Sequence, residues 1–234
     1  MRIVSVADLH GFLPDELPEG DVLVIAGDVM PVDDHTFLGQ SNFAERKLNP
    51  WLIYQQEKFT DVIGIAGNHD FLFDPAMAGR WALGSYAFPD AGPRYARDLE
   101  WTYLFDDVCK VGWYVFYGTP YVPHLPMWAF HSTEEEIAHR LSRVPGDGEI
   151  DVFITHDPPY SAGDKVIGGE HVGSTALASQ LRRIHPLHVV CGHIHEDYGE
   201  HTLLGDMPVH NSSYVDVQYK PVNQPLVFDI EGEK

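Results

Sequence analysis

Five short apolar runs, each closed by a group able to ligate a metal, limit what this chain can become. Val4-Ser5-Val6-Ala7 leads into Asp8 and His10, and Val22-Leu23-Val24-Ile25-Ala26 into Gly27-Asp28. Val62-Ile63-Gly64-Ile65-Ala66 leads into Gly67-Asn68-His69-Asp70. Val152-Phe153-Ile154-Thr155 leads into His156, and His188-Val189-Val190-Cys191 into Gly192-His193-Ile194-His195. Runs this short and this apolar read as buried strands. Open α/β sheets collect their ligands just beyond the carboxyl ends of the strands. The five ends are therefore expected to converge.

The 234 residues suffice for one substantial core, and a single domain over residues 1–234 is the simplest expectation. No apolar stretch is long enough for a bilayer. Met1-Arg2-Ile3 enters the first strand directly, leaving no room for a signal peptide, and Cys109 and Cys191 form no disulfide framework. A cytoplasmic location is the expectation. The net charge of −20, with 15 basic residues among 35 acidic ones and no basic run, argues against tight binding to duplex nucleic acid.

Between the runs, Pro31 to Gln40 reads as loop, and a helix is expected from Ser41 as N-cap toward Lys58, broken or kinked at Pro50, which could open a second helix as its N1 residue. A short helix is expected around Pro75 to Leu83. Leu99 to Phe105, Val108 to Val111 and Tyr114 to Tyr117 read as antiparallel strands. Ser132-Thr133-Glu134-Glu135 has the capping-box pattern, and Ser174 to His185 reads as a helix with Leu177, Leu181 and Ile184 on one face. Short strands follow from Thr202 to Ile230. The pattern predicts an α/β fold: a four-layer α/β/β/α sandwich with two mixed β-sheets.

The candidate ligands are Asp8, His10, Asp28, Asn68, His156, His193 and His195. They offer nitrogen and oxygen and no thiolate, which suits Mn, Fe, Co, Ni or Zn. Seven donors exceed what one such ion takes, but suit two ions sharing a carboxylate, ~3.5–4 Å apart, the usual device for displacement at phosphorus. Such ions lower the pKa of a bound water, so that hydroxide attack needs no serine or cysteine nucleophile. Neither a Gly-x-Ser-x-Gly elbow nor a phosphate-cradling loop is present.

Asp8-x-His10, Gly27-Asp28, Gly67-Asn68-His69-Asp70, His156 and Gly192-His193-x-His195 together resemble the five motifs of the calcineurin-like metallophosphoesterase superfamily, in order and spacing. The resemblance implies that Asp8, His10 and His195 hold one divalent transition metal and Asn68, His156 and His193 the other, with Asp28 bridging. Manganese ranks ahead of iron, cobalt, nickel or zinc. It also implies that His69 stands beside the substrate, stabilising charge or protonating the leaving oxygen, with Asp70 orienting it. Tyr117-Gly118-Thr119-Pro120, Thr155-His156-Asp157-Pro158-Pro159 and Asn211-Ser212-Ser213 resemble the metallophosphoesterase-domain-containing brain phosphodiesterase branch. Mammalian brain members carry glycine where His193 stands, so a full dinuclear site is expected here. The superfamily's protein phosphatases place an arginine where this chain has Ala66, and glutamate where it has Asp70. A site without that arginine favours a diester monoanion over a monoester dianion.

The expected activity is therefore hydrolysis of small phosphodiesters or cyclic nucleotides. The alternatives are a nuclease on single-stranded DNA ends, a phosphomonoesterase and a non-catalytic scaffold. His35, His124, His131, His139, His171, His185, His188, His201 and His210 are read as surface or packing residues, and Asp157 as a turn residue ahead of the alternative that it supports a ligand from behind. Trp128 and Phe130 suit base stacking and core packing equally, while Tyr160 and Lys165, near His156, read as plain loop ahead of the alternative that they touch substrate. The oligomeric state stays open.

Overall fold

A computed structural model of the chain describes residues 1–77, 92–146 and 148–231. In chain order its strands are β1 (Arg2–Val6), β2 (Val22–Ala26), β3 (Asp61–Ile65), β4 (Thr102–Tyr103), β5 (Asp107–Val111), β6 (Tyr114–Thr119), β7 (Val152–Thr155), β8 (His188–Cys191), β9 (Gly199–Leu203), β10 (Met207–Asn211) and β11 (Leu226–Asp229). The α-helices are α1 (Phe37–Phe43), α2 (Asn49–Gln56), α3 (Pro93–Arg97), α4 (Glu134–Leu141) and α5 (Thr175–Ile184).

The strands form two mixed sheets, ordered β11-β1-β2-β3-β4 and β5-β6-β7-β8-β10-β9. In the first, β1 to β4 are parallel and β11 is antiparallel to β1. In the second, β6, β7, β8 and β10 are parallel, with antiparallel edges β5 and β9. Parallel strands covered on both faces read as unbroken apolar runs, and β2 shows why. Leu23 and Ile25 pack with Ala44, Leu48 and Leu52 of the helical layer, while Val22, Val24 and Ala26 face Val152, Ile154 and Val190 of the other sheet. A third cluster joins Phe153, Val189 and Val209 to Ile137 and Leu141 of α4 and Leu177, Leu181 and Ile184 of α5. Three apolar layers separate four structural ones, the expected α/β/β/α sandwich. Each fully buried Val, Leu or Ile contributes about 1.5–3 kcal/mol.

Two expectations need correction, and the reading of Pro50 is refined. The first helix starts at Phe37, within the stretch read as loop, because Thr36 caps it by accepting from Gly39 N. Pro50 does stand at the start of a second helix, but the helical run continues through it without a break. A π-helical turn over Ala44–Leu48 precedes it, and Pro50 falls at the start of α2, where its missing N–H is least costly. Leu99 to Phe105 shrinks to β4, which pairs parallel with β3 in the first sheet and is no part of the β5–β6 hairpin. Of the helix expected around Pro75 to Leu83, residues 78–83 lie outside the described residues.

The capping box forms with Thr133 as N-cap: Glu136 N donates to Thr133 Oγ1, and Thr133 N donates to the Glu136 carboxylate. Helix α5 is capped by Ser174 and closed by a left-handed His185. No described helix is long and apolar enough to cross a membrane.

Candidate metal centre

β1, β2, β3, β7 and β8 each end a few residues before a donor, and the loops that follow are bonded to one another. Asp8 N donates to Gly27 O at 3.0 Å, His10 N to Asp28 O at 2.9 Å and Gly192 N to His156 O at 3.1 Å. Two donor carboxylates join the lattice: His69 N donates to Asp28 Oδ1 at 2.7 Å and His193 N to Asp8 Oδ2 at 2.9 Å. This mesh holds Asp8, His10, Asp28 and His193 at positive φ, between 44° and 69°. Such a conformation persists only where surrounding structure imposes it, and it clusters at functional sites. Gly67 makes room for the donors, since a Cβ there would strike Asp28 Oδ1 and lie 2.6 Å from His156 Nε2.

The side chains converge in two groups. His195 Nε2 lies 3.4 Å from Asp8 Oδ1 and 3.4 Å from His10 Nε2. His156 Nε2 lies 3.3 Å from Asp28 Oδ2, 3.1 Å from Asn68 Oδ1 and 4.0 Å from Asp8 Oδ1. Asp28 Oδ2 is also 3.7 Å from His10 Nε2, so it faces both groups. Donors sharing an ion at bond lengths of ~2.1 Å sit about 3–3.5 Å apart, and the observed spacings approach that. Asp8 Oδ1 and His10 Nδ1 are buried with no hydrogen-bond partner among the described residues. An orphaned carboxylate oxygen aimed at imidazoles is what a missing cation would leave, so the residues fit divalent metals. His193 stands outside the tight groups, its ring centre 5.1 Å from that of His156. His69, expected to stay off the metals, comes within ligand range of His10 and Asp28.

The imidazoles are aimed by their other nitrogens. His156 Nδ1 is 2.8 Å from Ala26 O, His195 Nδ1 is 3.1 Å from Asp216 O and His69 Nδ1 is 3.1 Å from His35 Nε2. Such contacts set tautomer and ring direction. Ser213 Oγ donates to Asp8 Oδ2 at 2.6 Å.

Two readings change here. Asp70 does not orient His69: its carboxylate accepts from Met30 N at 2.9 Å and Gly67 N at 2.8 Å and so braces the loop, while His35 meets the His69 ring. For Asp157 the geometry favours the alternative reading, a support behind a ligand. The residue is buried, accepts from Ser174 N at 2.9 Å and comes within 3.9 Å of His193 Nε2. Tyr219, which no motif marked, meets His10 edge-on at 4.9 Å and His195 at 5.4 Å. Trp128 lies 4.5 Å from His69, whereas Phe130 is core, packed on Phe105 and Tyr121. These partners come from distant loops, and no local spacing announces them.

Burial holds His10 at about 4 and His193 at about 3, so both are neutral at pH 7, the form a metal takes. Burial opposes ionisation of Asp8 and Asp28, but the facing histidines outweigh it and hold both below the usual carboxylate range. Burial likewise lowers His156, yet Asp28 and Asp8 overcome it and raise it to about 10. Carboxylates that hold a proton on a buried imidazole would equally hold a cation there. Burial and Asp28 raise Asp70 to about 7, and burial raises Asp157.

A cleft of about 300 Å³ opens onto the donors, walled by Leu125, Trp128, Val217 and Tyr219 with Glu196 at one side. No lysine or arginine lines it among the described residues.

A sequence model described as calcineurin-like phosphoesterase matches residues 1–197. Metallophosphoesterase domain-containing protein 1 of Homo sapiens is 33% identical over 242 residues, covering 98% of this chain and 71% of its own length. A UPF0046 protein of Caenorhabditis elegans is 32% identical over 253 residues, and the chain spans 98% of itself but only 60% of that relative. The crystal structure of phosphopantetheinyl hydrolase from Mycobacterium tuberculosis superposes with a TM-score of 0.55 at 16% identity, covering 93% of this chain and 90% of that one, a likeness of fold. On the family match and the relatives' identity together, this chain belongs to the calcineurin-like phosphoesterase family.

Proposed function

We propose that this chain is a dinuclear metal-dependent phosphodiesterase acting on small phosphodiesters or nucleotides. The observation that carries it is Asp28 Oδ2, within 3.3 Å of His156 Nε2 and 3.7 Å of His10 Nε2, a carboxylate between two donor groups. In this reading Asp8, His10 and His195 hold one ion, and Asn68, His156 and His193 the other, with manganese the first candidate. The ions, when bound, would activate water and neutralise the phosphate oxygens.

The remaining work falls to the chain. His69, beside the cleft, protonates the leaving oxygen. His35 fixes the direction of its ring, and Asp70 holds the loop that carries it. Asp157 limits where His193 can turn. Ala66 is buried in the core and offers no cation to the phosphate, and Glu196 adds negative charge to the wall. Both favour a diester monoanion over a monoester dianion. With cysteines only at Cys109 and Cys191, both free, the chain suits a reducing compartment, and the cytoplasm is the location we propose.

The test is hydrolysis of bis(p-nitrophenyl) phosphate beside p-nitrophenyl phosphate, metal-free and with Mn²⁺, for wild type and His193→Gly. Metal-dependent diester turnover that exceeds monoester turnover and falls in the variant is expected. Faster monoester turnover would reject the diester preference, and no turnover with any divalent metal would reject the enzyme.

A further inference from the structure

Two clefts meet at His193. The first lies over the donors. The second, of about 570 Å³, runs away from them along Pro123, Tyr160, His171, Val172 and Ile194. Leu125 and His193 line both, and no other proposed ligand lines the second.

The wall of the second cleft is built around one carboxylate. Asp164 is buried, accepts from Ser161 N and Gly173 N at 3.0 Å each, and bonds His171 Nδ1 at 2.6 Å. Val172 N donates to Asp164 O at 3.2 Å, and Lys165 N ties the loop to Asp197 Oδ2 at 2.9 Å. The bond to Asp164 aims the His171 ring, and the exposed Tyr160 ring stands 5.7 Å from it, tilted by 55°.

The cleft's chemistry offers little to an anion. Thr175, at the start of α5, lines it, but Glu134 already accepts from Ser174 Oγ, Thr175 N and Ala176 N. Its acidic side chains are Glu134 and the buried Asp157, its histidines are His124, His171 and His193, and no lysine or arginine lines it among the described residues. Apolar walls and two rings suit a neutral, ring-bearing group.

We infer that the second cleft holds the second ester arm of the substrate, and that the substrate is an open diester with a ring-bearing arm on each side of phosphorus, of the dinucleoside monophosphate class. This rests on the phosphodiesterase reading. A phosphodiester leaves its phosphorus in two directions, and two clefts meet where the phosphorus would sit. One arm lies between Trp128 and Tyr219 and the other against Tyr160 and Val172. A cyclic nucleotide returns both ester oxygens to one sugar and leaves the second cleft unused. In the reaction one P–O bond forms to the oxygen of water and one P–O bond to an arm breaks. One water proton ends on the departing oxygen, giving a nucleoside. The other arm keeps the phosphate as a monoester, and no redox partner is needed.

The experiment compares an adenylyl-adenosine diester, adenosine methyl phosphate and 3′,5′-cyclic AMP, with bis(p-nitrophenyl) phosphate as reference. Proteins are wild type, Tyr160→Ala, Tyr160→Phe and Val172→Trp, and binding of the first two ligands to metal-free protein is measured by calorimetry. A stacked ring contributes about tenfold. Wild type should therefore prefer the two-armed diester by about tenfold or more in kcat/KM and in affinity. That preference should vanish in Tyr160→Ala, survive in Tyr160→Phe and vanish in Val172→Trp, which fills the cleft. Equal handling of one-armed and two-armed diesters by wild type would overturn the second-arm site and leave the phosphodiesterase standing. No turnover of any diester, the reference included, would overturn both.

Discussion

His35 Nε2 stands 3.1 Å from His69 Nδ1. The His35 ring is itself held, stacked on Phe71 at 4.9 Å and meeting Trp128 edge-on at 5.4 Å. An imidazole thus takes the orienting place expected of a carboxylate. His35→Ala should lower kcat about tenfold to hundredfold for diesters with alkyl leaving groups. The loss should be smaller for p-nitrophenyl diesters, whose departing oxygen needs little protonation, and KM should change little. A leaving-group series reads this directly, and an equal loss across the series would remove His35 from the proton-transfer geometry.

Asp28 faces both donor groups while His193 stands outside them, beside His156, so their removal should differ in stoichiometry. Elemental analysis of Mn²⁺-loaded protein should give about two ions for wild type, about one for His193→Gly and fewer for Asp28→Ala. Retention of both ions in Asp28→Ala would rule out the shared carboxylate.

Gly67 lies where any side chain would meet Asp28 and His156. Gly67→Ala should fold, because the collision is confined to the site, at a stability cost of about 1–3 kcal/mol. It should bind less metal and lose most diester turnover. Circular dichroism together with metal analysis separates this from unfolding. A variant with normal metal content would show that the donors tolerate displacement.

His210 lies flat on Phe228, ring centres 3.9 Å apart and 4° from parallel, with Nε2 3.0 Å from His188 Nδ1. Burial, helped by His188 and His201, holds its pKa at about 3. The facing carboxylate of Glu200, 4.0 Å from Nδ1, does not reverse this. The folded value lies below the unfolded one of ~6.5, so the stability it contributes is full above that pH and is lost as pH falls toward the folded value. His210→Phe should therefore shrink the stability lost by metal-free protein between about pH 7 and about pH 4.5 by about 2 kcal/mol in urea titrations. Equal losses in wild type and variant would mean that another group sets the acid sensitivity.

The sandwich was legible because strands covered on both faces carry unbroken apolar runs, as Val22 to Ala26 does. The candidate donors stood out for a related reason: each follows its strand within a few residues, so Asp8, Asp28, Asn68, His156 and His193 are marked by local order. The start of α1 was not, since the Thr36 cap sits among residues that also suit a loop. The partner of His69 was not either. Asp70 is its neighbour in sequence, but both Asp70 oxygens are turned to Met30 N and Gly67 N instead of to that ring.

By itself, then, the sequence determined which residues could be donors and that they would leave parallel strands at one end, because strand period and glycine turns act over a few residues. Only the tertiary structure decided that His35 meets His69, that Asp157 meets His193, and that Tyr219 and Tyr160 wall separate clefts. Those contacts join residues far apart in the chain. They depend on how whole layers pack, and that information is spread over three apolar cores rather than written in any one stretch.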